Sequence, residues 1–185
     1  MKTRNDAVSL LKEYTQSESL LKHAYSVEAA LRGYAEKFGE DLELWGMTGL
    51  LHDFDYERFP DPVPGGHPYM GVQILSDLGY PEEIQTAIMG HAKYTGVLRE
   101  SRLAKTLFAC DELCGLVMAS TLVRPDRSID NLEVSSVKKK MKDKAFARGV
   151  DRQDIILGTQ ELGVELEEHI GLVILSMRKI AAVLF

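Results

Sequence analysis

Leu20, Ala24, Val27, Leu31, Tyr34 and Phe38 step along the chain by four, three, four, three and four, so they form one apolar stripe on a helix that Gly39 ends. No stretch sustains the alternation of a half-buried strand. "DLELWGMTGLLHDF" reads as a second helix, apolar all round and therefore central. "ERFPDPVPGGHP" is a loop by its prolines and glycines, and loops of that length usually carry function. A third helix runs from His67 or Pro68 to Leu78, stopped by Gly79, and a fourth, "PEEIQTAIMGHAKY", starts at Pro81. "SRLAKTLFACDELCGLVMAS" is a long buried helix with Ser101 as its cap. Beyond Pro125 come "SSVKKKMKDKAFARG", "DRQDIILGTQELG" opened by Asp151, and a last apolar helix from about Glu165. The pattern predicts an all-α fold, one domain over residues 1–185, with residues 126–185 as a C-terminal helical extension.

A 185-residue chain that is 45% hydrophobic and 27% charged has the makings of an ordinary globule with one good core. Its net charge of -6 argues against a general binder of nucleic-acid polymers. The N-terminal stretch is charged too early for a signal peptide, and the apolar C-terminus is broken by Ser176, Arg178 and Lys179, so neither export nor a membrane span is expected. A cytoplasmic location follows, and the apolar last helix leaves room for a homodimer. Cys110 and Cys114, at i and i+4, are expected to be two small core residues rather than a redox pair.

His23, His52, Asp53, His67, His91 and Asp111 each sit on, or at the end of, a core-facing element from a different part of the chain. A core does not hold several unpaired imidazoles and carboxylates. A bound cation supplies the missing partner, since these groups are the usual ligands of borderline and hard divalent metals. His169 stands outside the set, among glutamates, and is expected to be structural or solvated.

The order H…HD…H…H…D over residues 20–115 resembles the HD superfamily of metal-dependent phosphohydrolases, in the subgroup with two further histidines between the HD pair and the last aspartate. The resemblance implies an HD-type helical bundle. It implies two divalent metal ions, one held by His23, His52, Asp53 and Asp111, the other bridged by Asp53 and completed by His67 and His91. Ligands of nitrogen and oxygen without thiolate suit iron or manganese, and admit cobalt or zinc. The implied reaction is hydrolysis of a nucleotide or another small phosphate ester or anhydride by a hydroxide shared between the metals, with Asp53, His52 and Lys93 as the catalytic residues. Two other readings stay open: a di-iron oxygenase acting on a phosphonate or polyol, and a non-catalytic ligand-sensing domain.

For phosphate contacts, Lys93 and Tyr94 directly follow His91, and Lys93 is the preferred cation. Arg58 reaches the site only if the proline-rich loop folds over it. Arg99, Arg102 and Lys105 flank the next helix start, a natural anion-binding position. The stretch from His91 to Asp111 looks like the bacterial HD proteins that split diadenosine tetraphosphate, although Ala92 and Glu112 depart from their pattern. Lys138, Lys139, Lys140, Lys142 and Lys144 are read as the solvated face of one short helix, or as a lid that meets a polyphosphate.

Overall fold

The computed structural model describes residues 2–185, among which there are ten α-helices, one turn of 3-10 helix and no strand. The first helix, α1 (Arg4–Tyr14), was not among the expected elements. Its signal is a capping box: Thr3 Oγ1 accepts from Asp6 N, while the Asp6 carboxylate accepts from Thr3 N. The apolar stripe becomes α2 (Glu18–Phe38), ended by Gly39 at φ 70°, a left-handed value that glycine adopts without steric penalty.

Asp41 opens α3 (Leu42–Leu51) by accepting from Glu43 N and Leu44 N. As expected, α3 is buried all round from Trp45 to Leu51. It ends three residues short of the expected Phe54, and the chain turns over residues 52–59, with Tyr56 N donating to Asp53 O and Phe59 N to Asp55 O. The turn matters for function. In a continuing helix neighbouring side chains diverge by about 100°, whereas here consecutive His52 and Asp53 reach one point, 3.3 Å apart.

The proline-rich loop leads into α4 (Tyr69–Asp77), then α5 (Glu82–His91), and a 3-10 turn at Lys93–Thr95. The long helix α6 (Arg102–Leu122) is capped by Ser101, whose hydroxyl accepts from Ala104 N. In the extension, α7 (Val134–Lys142) is shorter than expected and leaves Lys144 on a following strap rather than on the helix. The helix stops because Asp143 turns extended, and its carboxylate accepts from Ala145 N. Asp151 caps α8 (Arg152–Leu162), and α9 (Leu166–Arg178) and α10 (Ala181–Leu184) close the chain.

α2 lies along α3, α6 and α9, and α6 also carries α5 and α8, so these two long helices organise the packing. One cluster of buried apolar side chains runs from Ala7 to Leu184 and includes Leu31, Leu50, Leu107, Ile155 and Val173. The extension therefore shares its core with the first 115 residues. Two crossings are closer than side chains normally permit: a Cβ on Gly49 would lie 2.8 Å from the backbone of Val27 and Glu28, and one on Gly158 would lie 2.5 Å from Ala109 Cα. Glycine lets α3 meet α2, and α8 meet α6, almost backbone to backbone. No helix among the described residues is long and apolar enough to cross a membrane.

Candidate metal centre

Five elements deliver the polar cluster. α2 contributes His23, the end of α3 His52 and Asp53, the loop before α4 His67, the last position of α5 His91, and α6 Asp111. The structure brings all six together as two overlapping groups, His23–His52–Asp53–Asp111 and Asp53–His67–His91; within each, the ligand atoms lie within 4.8 Å of one another. Asp53 belongs to both. Its Oδ2 faces His52 Nε2 at 3.3 Å and His23 Nε2 at 3.8 Å, and its Oδ1 faces His67 Nε2 and His91 Nε2, each at 3.3 Å. Asp111 Oδ1 completes the first group, 2.9 Å from His23 Nε2 and 3.4 Å from His52 Nε2. The side chains of Asp53 and Asp111 keep 23% and 21% exposure while His52 has none, so the centre opens to solvent on the carboxylate side.

The far side of three rings fixes their tautomers. His52 Nδ1 donates to Gly49 O at 2.8 Å, His91 Nδ1 to Ile88 O, and His67 Nδ1 to Asp55 Oδ1 at 2.7 Å. A carbonyl or carboxylate oxygen can only accept, so in each neutral ring the proton is on Nδ1 and Nε2 presents a lone pair. Three lone pairs then point at the oxygens of Asp53 and Asp111, and His52 Nε2 is buried with no hydrogen bond at all. Acceptors facing acceptors are costly in a core. A positive charge must sit among them.

Protons can serve in part. Burial on its own pushes the basicity of His52 and His91 down, but Asp53, with Asp111 behind it, overrides burial and holds both rings above the usual imidazole value. Burial likewise works against the ionised Asp53 and Asp111, yet His52 and His91 for the one, and His23 and His52 for the other, keep both carboxyls below the ordinary range. Divalent cations answer the same demand more completely. The residues fit two of them: four imidazole or carboxylate ligands for one, a shared Asp53 and two imidazoles for the other, with no thiolate.

The remaining expected contacts fall differently. Tyr94 is beside the centre, its hydroxyl donating to His67 O at 2.8 Å. Lys93, expected to face the metals as a free cation, instead carries an ion pair with Asp154, with Asp151 at 3.6 Å. Arg58 donates to Glu13 O and lies over the Tyr14 ring, so the loop does not bring it over the site. Arg102 is paired with Glu40 at 3.0 Å over Phe38, and Arg99 is held by Glu161. His169 is buried and structural rather than solvated, between the Tyr34 hydroxyl and Ala109 O.

Three residues near the centre were not singled out for it. Asp55 is buried; it orients His67 and also accepts from Gly71 N at 2.7 Å. A Cβ on Gly71 would strike that carboxylate at 2.7 Å, so the glycine is what lets α4 come so close. The half-exposed Tyr56 ring stands at right angles to His67, centroids 5.5 Å apart. Glu112, next to Asp111, is pushed up to about 7 by burial and by that neighbour's charge. "HDFDY" held one hint of the first two: an aspartate at 55 between two aromatic residues is an odd place for a solvated acid.

A family model described as HD domain matches residues 20–116, slightly more than half of the chain. Ribonuclease Y of Rhodopirellula baltica is 26% identical over 153 residues, which covers 80% of this chain and 29% of that protein. The chain therefore spans less than a third of the curated relative it matches. No solved structure gives a significant match.

Proposed function

The chain belongs to the HD domain family, and from that premise we propose that it is a metal-dependent phosphohydrolase acting on a nucleotide or another small phosphate ester or anhydride. One observation carries the reading: a single carboxylate, Asp53, divides its two oxygens between two sets of imidazoles, and among them His52 Nε2 is buried with no hydrogen-bond partner. His23, His52, Asp53 and Asp111 would hold one divalent cation and Asp53, His67 and His91 a second, iron or manganese by ligand chemistry, with cobalt or zinc admissible. Such ions, when bound, lower the pKa of water and offset the charge of a phosphoryl group.

The protein's own groups set the rest. Gly49 O, Ile88 O and Asp55 lock three rings with their lone pairs inward, so no reorientation is needed when ligand binds. Tyr94 and Tyr56 flank His67 and are respectively 49% and 42% exposed, a surface suited to stacking a nucleobase. Lys93 ties the turn after His91 to the start of α8 through Asp154 and Asp151, a positioning part rather than a free phosphate contact.

The similarity to ribonuclease Y favours a second reading, hydrolysis of a phosphodiester in RNA. A net charge of -6, with Lys93, Arg58 and Arg102 already engaged elsewhere, supports the small substrate over the polymer. The test is metal analysis of the purified protein, followed by a screen of nucleotides, dinucleoside polyphosphates and short RNA with manganese or ferrous iron. We expect turnover of at least one small phosphate compound that disappears in Asp53→Ala. Turnover surviving that substitution removes the assignment; turnover that requires oxygen moves it to oxidation.

A further inference from the structure

Between the end of α7 and the start of α8, residues 143–150 form a strap closed around one side chain. Arg152 Nη1 donates to Ala147 O at 2.7 Å and Val150 O at 2.6 Å, and Nη2 donates to Phe146 O and, at 3.4 Å, to Asp143 O. All four acceptors are carbonyls. They hold the guanidinium in place without neutralising its charge, and Nε is buried with no hydrogen bond.

A cavity of about 580 Å³ opens between the strap and α8. Lys142, Lys144, Arg148 and Arg152 line it, against a single carboxylate, Asp151. That carboxylate is already engaged by Gln153 N, by Asp154 N and by Lys93 at 3.6 Å. Lys138 pairs with Glu167 and Lys140 lies over the Phe146 ring, but Lys142, Lys144 and Arg148 are exposed and pair with no carboxylate among the described residues. On a chain of net charge -6 this is a concentrated, unspent positive field.

Two contacts tie the rim of the cavity to elements that carry the metal centre. Asp151 N donates to Glu112 Oε2 at 3.0 Å, and Glu112 follows Asp111 on α6. The Lys93 ion pairs fasten the same helix start to the turn after His91.

We propose that the strap cavity is an anion subsite that takes the phosphoryl groups beyond the scissile one, so that the substrate is a polyphosphorylated small molecule. This rests on the phosphohydrolase reading. Four cations converging on one cavity match a compact run of phosphates; a nucleic-acid strand spreads its charge at one per nucleotide and calls for a linear track. Arg148 supplies a planar fork and Lys142 and Lys144 supply mobile point charges, while the immobilised Arg152 provides a fixed one.

Inorganic tripolyphosphate is the probe, titrated calorimetrically into the full chain, as purified and after chelation of metal. Binding is expected in both samples, because the subsite is built of side chains. In Lys144→Ala/Arg148→Ala affinity should fall at least about tenfold, the size of one lost charge-assisted contact, and in Asp53→Ala it should hold. Lys144→Gln/Arg148→Gln, which keeps most of the side-chain bulk, should repeat the loss with an unchanged thermal midpoint. Absent binding, binding unaltered in both double variants, or binding that fails in Asp53→Ala overturns the subsite. Tighter binding of a short RNA than of tripolyphosphate, through the same residues, also overturns it. The hydrolase reading fails separately, by absence of Asp53-dependent turnover in a protein that still binds tripolyphosphate.

Discussion

Asp55 holds His67 from behind: one carboxylate oxygen accepts from His67 Nδ1 at 2.7 Å while the other accepts from Gly71 N, also at 2.7 Å. The ring is thereby turned so that Nε2 faces Asp53. Removing such an outer partner typically lowers metal affinity by about 10–100-fold. Asp55→Ala should weaken the site formed by Asp53, His67 and His91 by that factor and leave the site of His23, His52 and Asp111 occupied. Metal content after dialysis should drop towards one ion per chain. Two ions retained with unchanged affinity would remove Asp55 from the design.

Gly49 sets the distance between α2 and α3, because a Cβ there would lie 2.8 Å from the backbone of Val27 and Glu28. Backbone cannot swing aside as a side-chain tip can, so Gly49→Ala must part the helices. Overpacking of this kind costs about 1–3 kcal/mol, and His23 should draw away from His52. Urea unfolding and metal titration on the same sample read both effects. Gly115→Ala is the contrast: its Cβ meets only Val150, at 3.6 Å, an ordinary contact. There the gain in helix propensity should stabilise by about 0.5–1 kcal/mol.

The ligand set was legible because each member sits on, or at the end of, a core-facing element, and a polar group in such a place needs a reason visible in one dimension. Asp55 was not legible, since its value depends on a ring twelve residues away across a proline-rich loop. The engagement of Lys93 was equally hidden. Its partner Asp154 lies 61 residues on, in a helix whose own pattern says nothing about the site. α1 escaped notice because its apolar face is brief, although Thr3 and Asp6 marked its start. The short α7 illustrates a different limit. Lysines are good helix formers, but the carbonyls of residues 143–150 bond to Arg152 instead of continuing the ladder.

Tyr56 packs at right angles to the His67 ring and leaves 42% of its surface open. If a nucleobase stacks there, Tyr56→Ala should remove about 1–3 kcal/mol of binding, seen as a higher KM for a nucleotide with kcat little changed. Glycerol phosphate, which has no ring to stack, should show no comparable change. Equal losses on both substrates would assign Tyr56 to packing against His67 alone.

His169 offers a pH test independent of the metal ligands. Burial, followed by the charge of Lys37, outweighs the hydrogen bond to Ala109 O and brings the ring down to about 4. Ala109 O accepts from Nε2, so Nδ1 accepts from the Tyr34 hydroxyl, and the neutral ring satisfies both neighbours. The unfolded chain takes up this proton near the ordinary value of about 6.5, whereas the folded chain resists until about 4. The stability from keeping the ring neutral is therefore complete above about 6.5 and is lost as pH falls from there to about 4, a loss on the order of 3 kcal/mol. His169→Gln can accept from Tyr34 and donate to Ala109 O without titrating. Urea unfolding at several pH values across that window should show a steep fall for the parent and a shallower one for the variant, with the difference between them closing towards acid. Parallel curves would mean that the ring is already charged in the folded protein.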